Sequence, residues 1–171
     1  MKKYYITGMS GNGKSTIARI LAQNNISSID IDNHDLCRWV NKETGETVHR
    51  QPGVDKEFFK NNTSVCDVEK LFKMIEEKES PVFVFGLVDN QKDFFDKFDK
   101  VFLLRCDPKI LLERINSRTD NDFGKDEEAQ NMIIRGYEKF ENKMFDLGAI
   151  PIDTSMPIDE VYGELMSRIK E

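Results

Sequence analysis

A glycine-rich segment near the start of the chain constrains the fold more than any other feature. Residues 8–16 read GMSGNGKST and directly follow a short apolar run that ends at Ile6. The spacing from Gly8 through four residues to Gly13, Lys14 and Ser15 is that of a phosphate-binding loop, in which the chain leaves a strand, folds around a phosphate and enters a helix. The sequence therefore predicts a nucleotide site between the first strand and the first helix.

Each residue type in this segment has a physical role. Glycines adopt backbone angles closed to other residues, so successive main-chain N–H groups can point inward at phosphate oxygens. The following helix adds the positive end of its dipole. Lys14 is expected to reach the outer phosphates, and the Ser15 hydroxyl is expected to ligate Mg²⁺. The predicted nucleotide-binding residues of the loop are Gly8, Ser10, Gly11, Asn12, Gly13, Lys14, Ser15 and Thr16.

Length and composition narrow the possible functions. A chain of 171 residues suits a single domain, 1–171, and its 25 basic against 31 acidic residues give a formal charge of −6. That balance lacks the basic footprint of a dedicated nucleic-acid binder. Three widely spaced cysteines without a CxxC pair argue against a disulfide framework or a zinc site. No signal-peptide or membrane-spanning run is evident, so we expect a cytoplasmic protein that binds no membrane.

The remaining pattern is an alternation of strands and helices. Short apolar runs predict five strands, at residues 4–6, 29–32, 82–85, 101–104 and 149–153. Helical spacing follows each strand, so right-handed crossovers and a parallel sheet covered on both faces are expected. Residues 33–40 are predicted to be helical, and residues 41–66 read as an irregular lobe in which Phe58 and Phe59 are isolated apolar anchors. The fold class is thus a three-layer α/β/α arrangement around a five-stranded parallel sheet.

With these features, the chain resembles the small P-loop kinases of the adenylate, shikimate and gluconate kinase type. The resemblance covers the whole order of elements, and it is most specific at the loop, whose Ser15 is closer to the shikimate and gluconate kinase pattern. It implies a P-loop NTPase fold with an acceptor-binding lobe at 33–66 and a lid at 117–128. It also implies transfer of the γ-phosphoryl group of Mg-ATP to a hydroxyl or phosphate of a small metabolite.

Two arginines extend the resemblance. Arg114 and Arg118 lie four apart on the predicted lid-entry helix, and that spacing puts them on one helix face. In this family such arginines contact phosphates or the base, and cations there would offset charge that develops on the transferred group. A purely structural role would leave both solvated and paired with Glu113 or Asp120. Lys125 is a further possible lid residue.

The acceptor side rests on weaker patterns. The two-residue period of a strand would put Asp30 and Asp32 on one side, and the resemblance implies Asp32 as base or hydroxyl-orienting group and Asp30 as a group near the metal. Their structural role would be to end a strand. Asp35 and Arg38 resemble an acceptor-helix pattern of nucleoside monophosphate kinases, although a lone helical arginine is usually solvated. The remaining candidate acceptor residues are Arg50, His49, Trp39 and Gly86, the last at the end of the third strand.

The turn after the last strand is expected to border the adenine through its main chain, with Thr154 and Pro157 as candidates. Asp89 and Asn90, after the third strand, are interpreted as a helix N-cap. A guanine-nucleotide switch is disfavoured because its base-reading Asn-Lys-x-Asp motif is missing from the sequence. Three further functions stay open: a nucleoside monophosphate kinase, a nucleotide-dependent ATPase or switch, and a nucleic-acid end kinase. A monomer or a homodimer is expected, with ATP and a small acceptor as partners and Mg²⁺ as cofactor.

Overall fold

A computed structural model of the chain describes residues 1–33, 35–49, 56–117, 119 and 127–170. Its main feature is a parallel sheet of five strands: β1 Lys3–Thr7, β2 Ser27–Asp30, β6 Val82–Phe85, β7 Lys100–Arg105 and β8 Ile150–Asp153. Their order in the sheet is β2-β6-β1-β7-β8. The predicted five-stranded α/β fold is therefore confirmed, and the glycine-rich loop leaves the central strand.

Helices cover both faces of this sheet. They are α1 Lys14–Gln23, α3 Val68–Glu76, α4 Pro108–Ser117, α5 Glu127–Asp146 and α6 Ile158–Arg168. Alternate residues of β1 divide between two cores: Tyr4 and Ile6 pack with α1 and α6, whereas Tyr5 packs with α3. Strands buried on both faces read as continuous apolar runs, which is why β6 and β7 were visible in the sequence.

Local signals account for several helix boundaries. The Asp67 carboxylate accepts a hydrogen bond of 3.0 Å from the Lys70 amide and caps α3. Asp107 accepts from the Lys109 amide at 2.8 Å, and Pro108 occupies the first turn of α4. Helical spacing was expected after every strand, but the segment between β6 and β7 forms a pair of 3₁₀ turns, Gln91–Asp93 and Phe95–Lys97. Within the described ranges, each helix is too short or too polar to traverse a lipid bilayer.

A second, smaller sheet replaces the predicted helix at 33–40 and the irregular lobe at 41–66. It consists of β3 Cys37–Asn41, β4 Thr47–Val48 and β5 Asn62–Cys66, and it is antiparallel with the order β4-β3-β5. The short helix α2, Lys56–Asn61, precedes β5. The helix prediction was wrong because Asp35 adopts a left-handed φ of 50° and Cys37 to Asn41 then pair with β5, which lies much further along the chain.

Three aromatic residues hold the small sheet against α2. The ring of Trp39 lies 5.3 Å from that of Phe58 and 5.6 Å from that of Phe59, both edge-on. Such tilted pairs add stabilisation beyond the burial of their area. Phe58 and Phe59 are therefore not isolated anchors as predicted, and the half-buried Trp39 packs against both of them.

Asp89 and Asn90 join the small sheet to the large one. The Asp89 carboxylate accepts from the Ser64 amide at 2.8 Å, and the Asp89 amide donates to the Ser64 carbonyl at 2.8 Å. The Asn90 side chain accepts from the Cys66 amide at 2.8 Å and donates to the Cys66 carbonyl at 3.0 Å. These residues thus bind the outer edge of β5 as a further strand would. Asn90 occupies the N-cap position of the 3₁₀ turn Gln91–Asp93, as interpreted, but its side chain makes no capping bond there.

Candidate nucleotide-binding site

A cavity of about 580 Å³ lies at the carboxyl ends of the parallel strands, in front of the glycine-rich loop. Parallel α/β sheets bind ligands at this edge, because loops from several strands converge there. The cavity brings together four parts of the chain that are remote in sequence. Its walls include Ser10, Gly11, Gly13, Lys14, Ser15, Thr16, Ile17, Asp32, Arg114, Ser117, Thr154, Met156, Ile158 and Val161.

The loop path depends on glycine at two positions. A Cβ on Gly8 would lie 2.6 Å from the Leu104 carbonyl oxygen, so no side chain fits between the loop and β7. Gly13 has a left-handed φ of 90° and is the residue before α1. A residue with a Cβ is strained in that conformation. Both glycines are therefore required by the local geometry, and the loop enters α1 without a side-chain cap.

The start of α1 is suited to an anion. The first helical hydrogen bond of α1 runs from the Ile17 amide to the Gly13 carbonyl at 3.0 Å. The amides of Lys14, Ser15 and Thr16 precede that bond, so they belong to the helix end that has no intrahelical acceptor. Ser15 and Thr16 line the cavity. Main-chain N–H groups and the helix dipole thus favour negative charge at this end of the cavity.

The Lys14 ammonium contacts the loop itself in this conformation. Its Nζ donates to the Gly8 carbonyl and, at 3.2 Å, to the Met9 carbonyl. Lys14 is half-buried and lines the cavity. An ammonium on a four-carbon stem can exchange these carbonyl oxygens for phosphate oxygens by rotation of its side chain.

Asn12 faces away from the cavity. Its side chain is 1% exposed, its Nδ2 donates to the Leu104 carbonyl at 2.8 Å, and its amide N–H donates to the Met9 carbonyl at 3.1 Å. These polar groups are occupied within the protein. The expectation that Asn12 contacts the nucleotide is therefore corrected: its side chain holds the loop and does not line the cavity.

The two aspartates after β2 have different surroundings. β2 ends at Asp30, and Asp32 lies in the single 3₁₀ turn that follows. Within this turn the Asp32 amide donates a hydrogen bond of 3.0 Å to the Asp30 carboxylate. The prediction that both lie along one side of a strand was wrong, because the strand ends one residue after the buried Ile29 and the chain turns. Asp32 lines the cavity, and Asp30 holds the turn that presents it.

The Asp32 side chain lines the cavity and is solvent-exposed, with protein atoms close enough to desolvate its carboxyl in part. Partial burial raises its pKa above the ordinary value, the negative charge of Asp30 raises it further, and Lys14 opposes both effects. A carboxylate with a raised pKa binds a proton more strongly than an ordinary one. Asp32 is therefore better suited to accept a proton than a fully solvated aspartate.

Arg114 reaches the cavity from α4. Its Nη1 donates to the Thr154 hydroxyl at 3.1 Å and its Nη2 donates to the Thr154 carbonyl at 2.6 Å. Thr154 is buried, and both its amide and its hydroxyl donate to the Arg105 carbonyl, at 2.7 and 3.0 Å. The guanidinium is thus fixed to the junction of β7 and β8 and faces the same cavity as the loop.

Sequence reasoning missed the apolar wall opposite the loop. Met156, Ile158 and Val161 line the cavity from the turn after β8 and the start of α6. Ile158 is 39% exposed, which is unusual for so large an apolar side chain and gave no pattern in the sequence. The predicted Pro157 is the residue that precedes α6 and is not part of this wall. A flat apolar ring would find contact area there.

Several predicted acceptor residues lie elsewhere. Arg38 is exposed on β3 opposite Val65, so it is not a helical arginine beside Asp35. Asp35 is exposed, and its carbonyl accepts from Lys70. Gly86 is buried against Ile31, whose Cδ1 would lie 2.8 Å from an added Cβ. Arg50, Arg118 and Lys125 lie outside the described residues.

The oxygen donors at the cavity fit a hard cation that keeps most of its water. The Ser15 hydroxyl and the Asp32 carboxylate line the same space. Among the described residues, no group of three His, Cys, Asp or Glu side chains is placed to hold a metal ion. Mg²⁺ is commonly held by one or two protein oxygens together with substrate phosphates and water, and this donor set suits that mode.

Comparison with known proteins agrees with this geometry. A family model described as an AAA domain matches residues 5–135, which begin in β1 and include the loop, the small sheet, four of the five strands of the large sheet and the first half of α5. The chain belongs to this family. Its AAA domain thus contains the loop, Asp32 and Arg114, whereas Thr154 and the apolar wall lie beyond the matched range.

Several proteins similar to this chain are kinases. Shikimate kinase of Chlorobaculum tepidum is 26% identical over 97% of this chain and 89% of that protein. The structure of shikimate kinase from Bacteroides thetaiotaomicron has a TM-score of 0.63, with 16% identity over 99% of both chains. Deoxyadenosine kinase from M. mycoides with bound dATP has a TM-score of 0.59, with 18% identity over 99% of this chain and 100% of that one. The solved structures establish the fold. The shikimate kinase relative, which matches nearly the whole chain, confirms the prediction of a small P-loop phosphotransferase.

Proposed function

We propose that this protein transfers the γ-phosphoryl group of Mg-ATP to a hydroxyl group of a small metabolite. The observation that carries the proposal is that Asp32 lines the same cavity as Lys14 and Ser15. This arrangement places a carboxylate with a raised pKa opposite a phosphate-binding loop. A hydrolytic switch would need only the loop, whereas transfer to a hydroxyl also benefits from a group that accepts its proton.

Different residues of the chain have separate roles in the proposed transfer. The amides at the start of α1 and the Lys14 ammonium bind the donor phosphates, and the Met156 and Ile158 wall accommodates the base. Asp32 orients the acceptor hydroxyl and takes its proton as the bond to phosphorus forms. Arg114, fixed by Thr154, offsets negative charge on the transferred group and on the leaving diphosphate. Positioning and charge account for most catalysis in phosphoryl transfer.

Mg²⁺ would be held by Ser15, with Asp32 and Asp30 near its water shell, and when bound it would supply charge neutralisation at the phosphates. The Asp30 carboxylate already accepts the Asp32 amide. We therefore assign Asp30 to orienting Asp32, and any effect it has on the metal acts through water.

The small sheet at residues 37–66 is proposed to form the acceptor-binding lobe, and residues 117–128 are proposed as a lid. The small sheet begins at Cys37, five residues after Asp32 in the chain, which supports the first assignment. Arg38 gave the sequence argument for a nucleotide acceptor, and its position on β3 removes that support. Three free cysteines are consistent with a reducing, cytoplasmic setting.

The test is ADP release with ATP and a panel of acceptors: sugars, cyclitols, shikimate-like acids, nucleosides and nucleoside monophosphates. Lys14→Ala and Asp32→Asn are run alongside the wild-type protein. The proposal predicts acceptor-dependent turnover that both substitutions lower by at least about 100-fold, the scale of one preorganised charge contact. Acceptor-independent ATP hydrolysis across the panel would assign an ATPase instead. Turnover only with nucleoside monophosphates would assign a nucleoside monophosphate kinase.

A further inference from the structure

A buried hydrogen-bond network lies directly beneath the phosphate-binding loop. The Tyr137 hydroxyl, from the middle of α5, accepts from the Cys106 amide at 2.9 Å and lies 2.9 Å from the Cys106 carbonyl, to which it donates. Asn12 of the loop donates through Nδ2 to the same hydroxyl at 3.4 Å and to the Leu104 carbonyl at 2.8 Å. The Cys106 thiol donates to Asn12 Oδ1 at 3.3 Å. Residues 125 positions apart in sequence therefore meet under the loop.

The directions of these bonds are mutually consistent. A phenol hydroxyl has one proton to donate and can accept two bonds, and Tyr137 uses all three. Leu104 offers only a carbonyl oxygen, so the amide of Asn12 must turn its nitrogen toward that oxygen and its own oxygen toward Cys106. The network thus fixes the orientation of Asn12 and leaves its amide group satisfied.

The protonation states keep the network in place near neutral pH. Burial raises the pKa of the Tyr137 phenol to about 12. Burial also raises the pKa of the Cys106 thiol. Both groups therefore retain the protons that they donate. Tyr137 is 3% exposed, Cys106 is 3% exposed and Asn12 is 1% exposed, so water does not compete for these bonds.

The network acts on the part of the loop that faces phosphate. Asn12 stands between Gly11 and Gly13, both of which line the cavity. Gly8, at the start of the loop, lies against Leu104, the residue whose carbonyl Asn12 binds. Fixing Asn12 to the end of β7 therefore fixes the backbone on either side of it. Pre-organised donors cost less to order when a ligand binds.

We propose that Tyr137 is a positioning residue for the phosphate-binding loop and that it acts through Asn12 and Cys106. The proposal adds a positioning residue to the ATP-binding half of the proposed kinase site. Only its effect on nucleotide binding rests on the proposed function; its effect on the loop conformation does not. Tyr137 is not among the residues that line the donor cavity; it sets the loop conformation from the side of α5. Without it, Asn12 loses a partner and the loop samples other conformations before a nucleotide binds.

The first test is hydrogen exchange of the loop amides in nucleotide-free protein, in wild type, Tyr137→Phe and Tyr4→Phe. Tyr4 is a matched control because it is 3% exposed and its hydroxyl donates to the Ile169 carbonyl at 3.4 Å, away from the loop. We expect exchange of residues 8–16 to accelerate about fivefold in Tyr137→Phe, roughly the effect of one net hydrogen bond, and to stay unchanged in Tyr4→Phe. Equal loop exchange in all three proteins overturns the proposal, whatever the protein's activity.

The second test is MgADP affinity of folded protein by titration calorimetry, with Cys106→Ala and Cys106→Ser added. Tyr137→Phe and Cys106→Ala should each weaken MgADP binding about fivefold, since each removes one bond to Asn12. Cys106→Ser restores a donor and should stay within about twofold of wild type. If the MgADP affinities of the variants simply correlate with their melting temperatures, the positioning role is overturned. Failure of wild type to bind MgADP counts against the proposed function, and the exchange experiment still decides this inference.

Discussion

Arg114 and Thr154 are joined by two hydrogen bonds, from Nη1 to the threonine hydroxyl at 3.1 Å and from Nη2 to its carbonyl at 2.6 Å. The same hydroxyl donates to the Arg105 carbonyl at 3.0 Å. Thr154 therefore aligns a cation of α4 with the end of the sheet. The sequence predicted only that the main chain of the turn after β8 borders the adenine base. In the structure this turn also holds Arg114 through the Thr154 side chain.

Thr154→Val should loosen Arg114 without removing it. Valine keeps the shape of threonine but cannot accept from Nη1 or donate to the Arg105 carbonyl, and losing a buried hydroxyl contact costs about 1–2 kcal/mol of unfolding free energy. We expect kcat to fall by about tenfold, with a smaller change in KM for ATP, because a guanidinium aimed at developing charge acts mainly in the transition state. Denaturant unfolding and steady-state kinetics measure both effects.

The control is Ser155→Ala, which removes the neighbouring, exposed hydroxyl. Kinetics of Thr154→Val that match those of Ser155→Ala would show that the hydroxyl does not position Arg114.

Asp32→Asn should separate catalysis from stability. Because burial and Asp30 raise the pKa of Asp32 in the folded protein, the folded state binds this proton more tightly than the unfolded state. Stability from this group is therefore present at low pH and is lost as pH rises through its raised pKa, so the ionised carboxylate is a local cost at neutral pH. The substitution should raise the melting temperature at pH 7 while it lowers kcat by at least about 100-fold.

The pH dependence of the reaction rate provides a second test of the role of Asp32. The rate of the wild-type protein should fall as pH drops through the raised pKa of Asp32, and this acid limb should vanish from the residual rate of Asp32→Asn. A wild-type rate in the variant, or an acid limb unaltered by it, would reduce Asp32 to a structural residue.

Asn90→Ala tests the connection between the two sheets. The change leaves the Cys66 amide and carbonyl at the edge of β5 without their side-chain partner. We expect a loss of about 2 kcal/mol of unfolding free energy, since two hydrogen bonds to buried main-chain groups are lost. If the small sheet binds the acceptor, KM for the acceptor should rise while KM for ATP stays unchanged. Asn142→Ala, on the exposed side of α5, serves as the control and should alter neither.

The predictable part of the fold was the part with local signals. The strands β6 and β7 are continuous apolar runs buried on both faces, and the loop requires glycine for reasons visible in its spacing. The small sheet has no comparable pattern. β3 forms because Cys37 to Asn41 pair with β5, and residues 62–66 of that partner contain a single strongly apolar residue, Val65. Pairing over such a separation leaves little trace in either segment alone.

The candidate site divides in the same way. Lys14, Ser15, Asp32, Arg114 and Thr154 were found from motifs and strand ends, and the structure brings them to one cavity. Asn12 has the right spacing for a ligand but turns inward, because its partners come from β7 and α5. A residue at such a loop position can bind a ligand or hold the loop in place. Which of these it does depends on contacts with distant parts of the folded chain, and these contacts are not visible in the loop sequence.

The most direct measurement follows the γ-phosphoryl group itself. ATP labelled at the γ-phosphorus is incubated with wild-type protein, Mg²⁺ and the acceptor that gives the fastest ADP release, and the products are separated. Our account predicts that the label appears on a hydroxyl oxygen of the acceptor in amounts equal to the ADP formed, and that Lys14→Ala yields none. Label found only in inorganic phosphate, at a rate that the acceptor does not change, would contradict it.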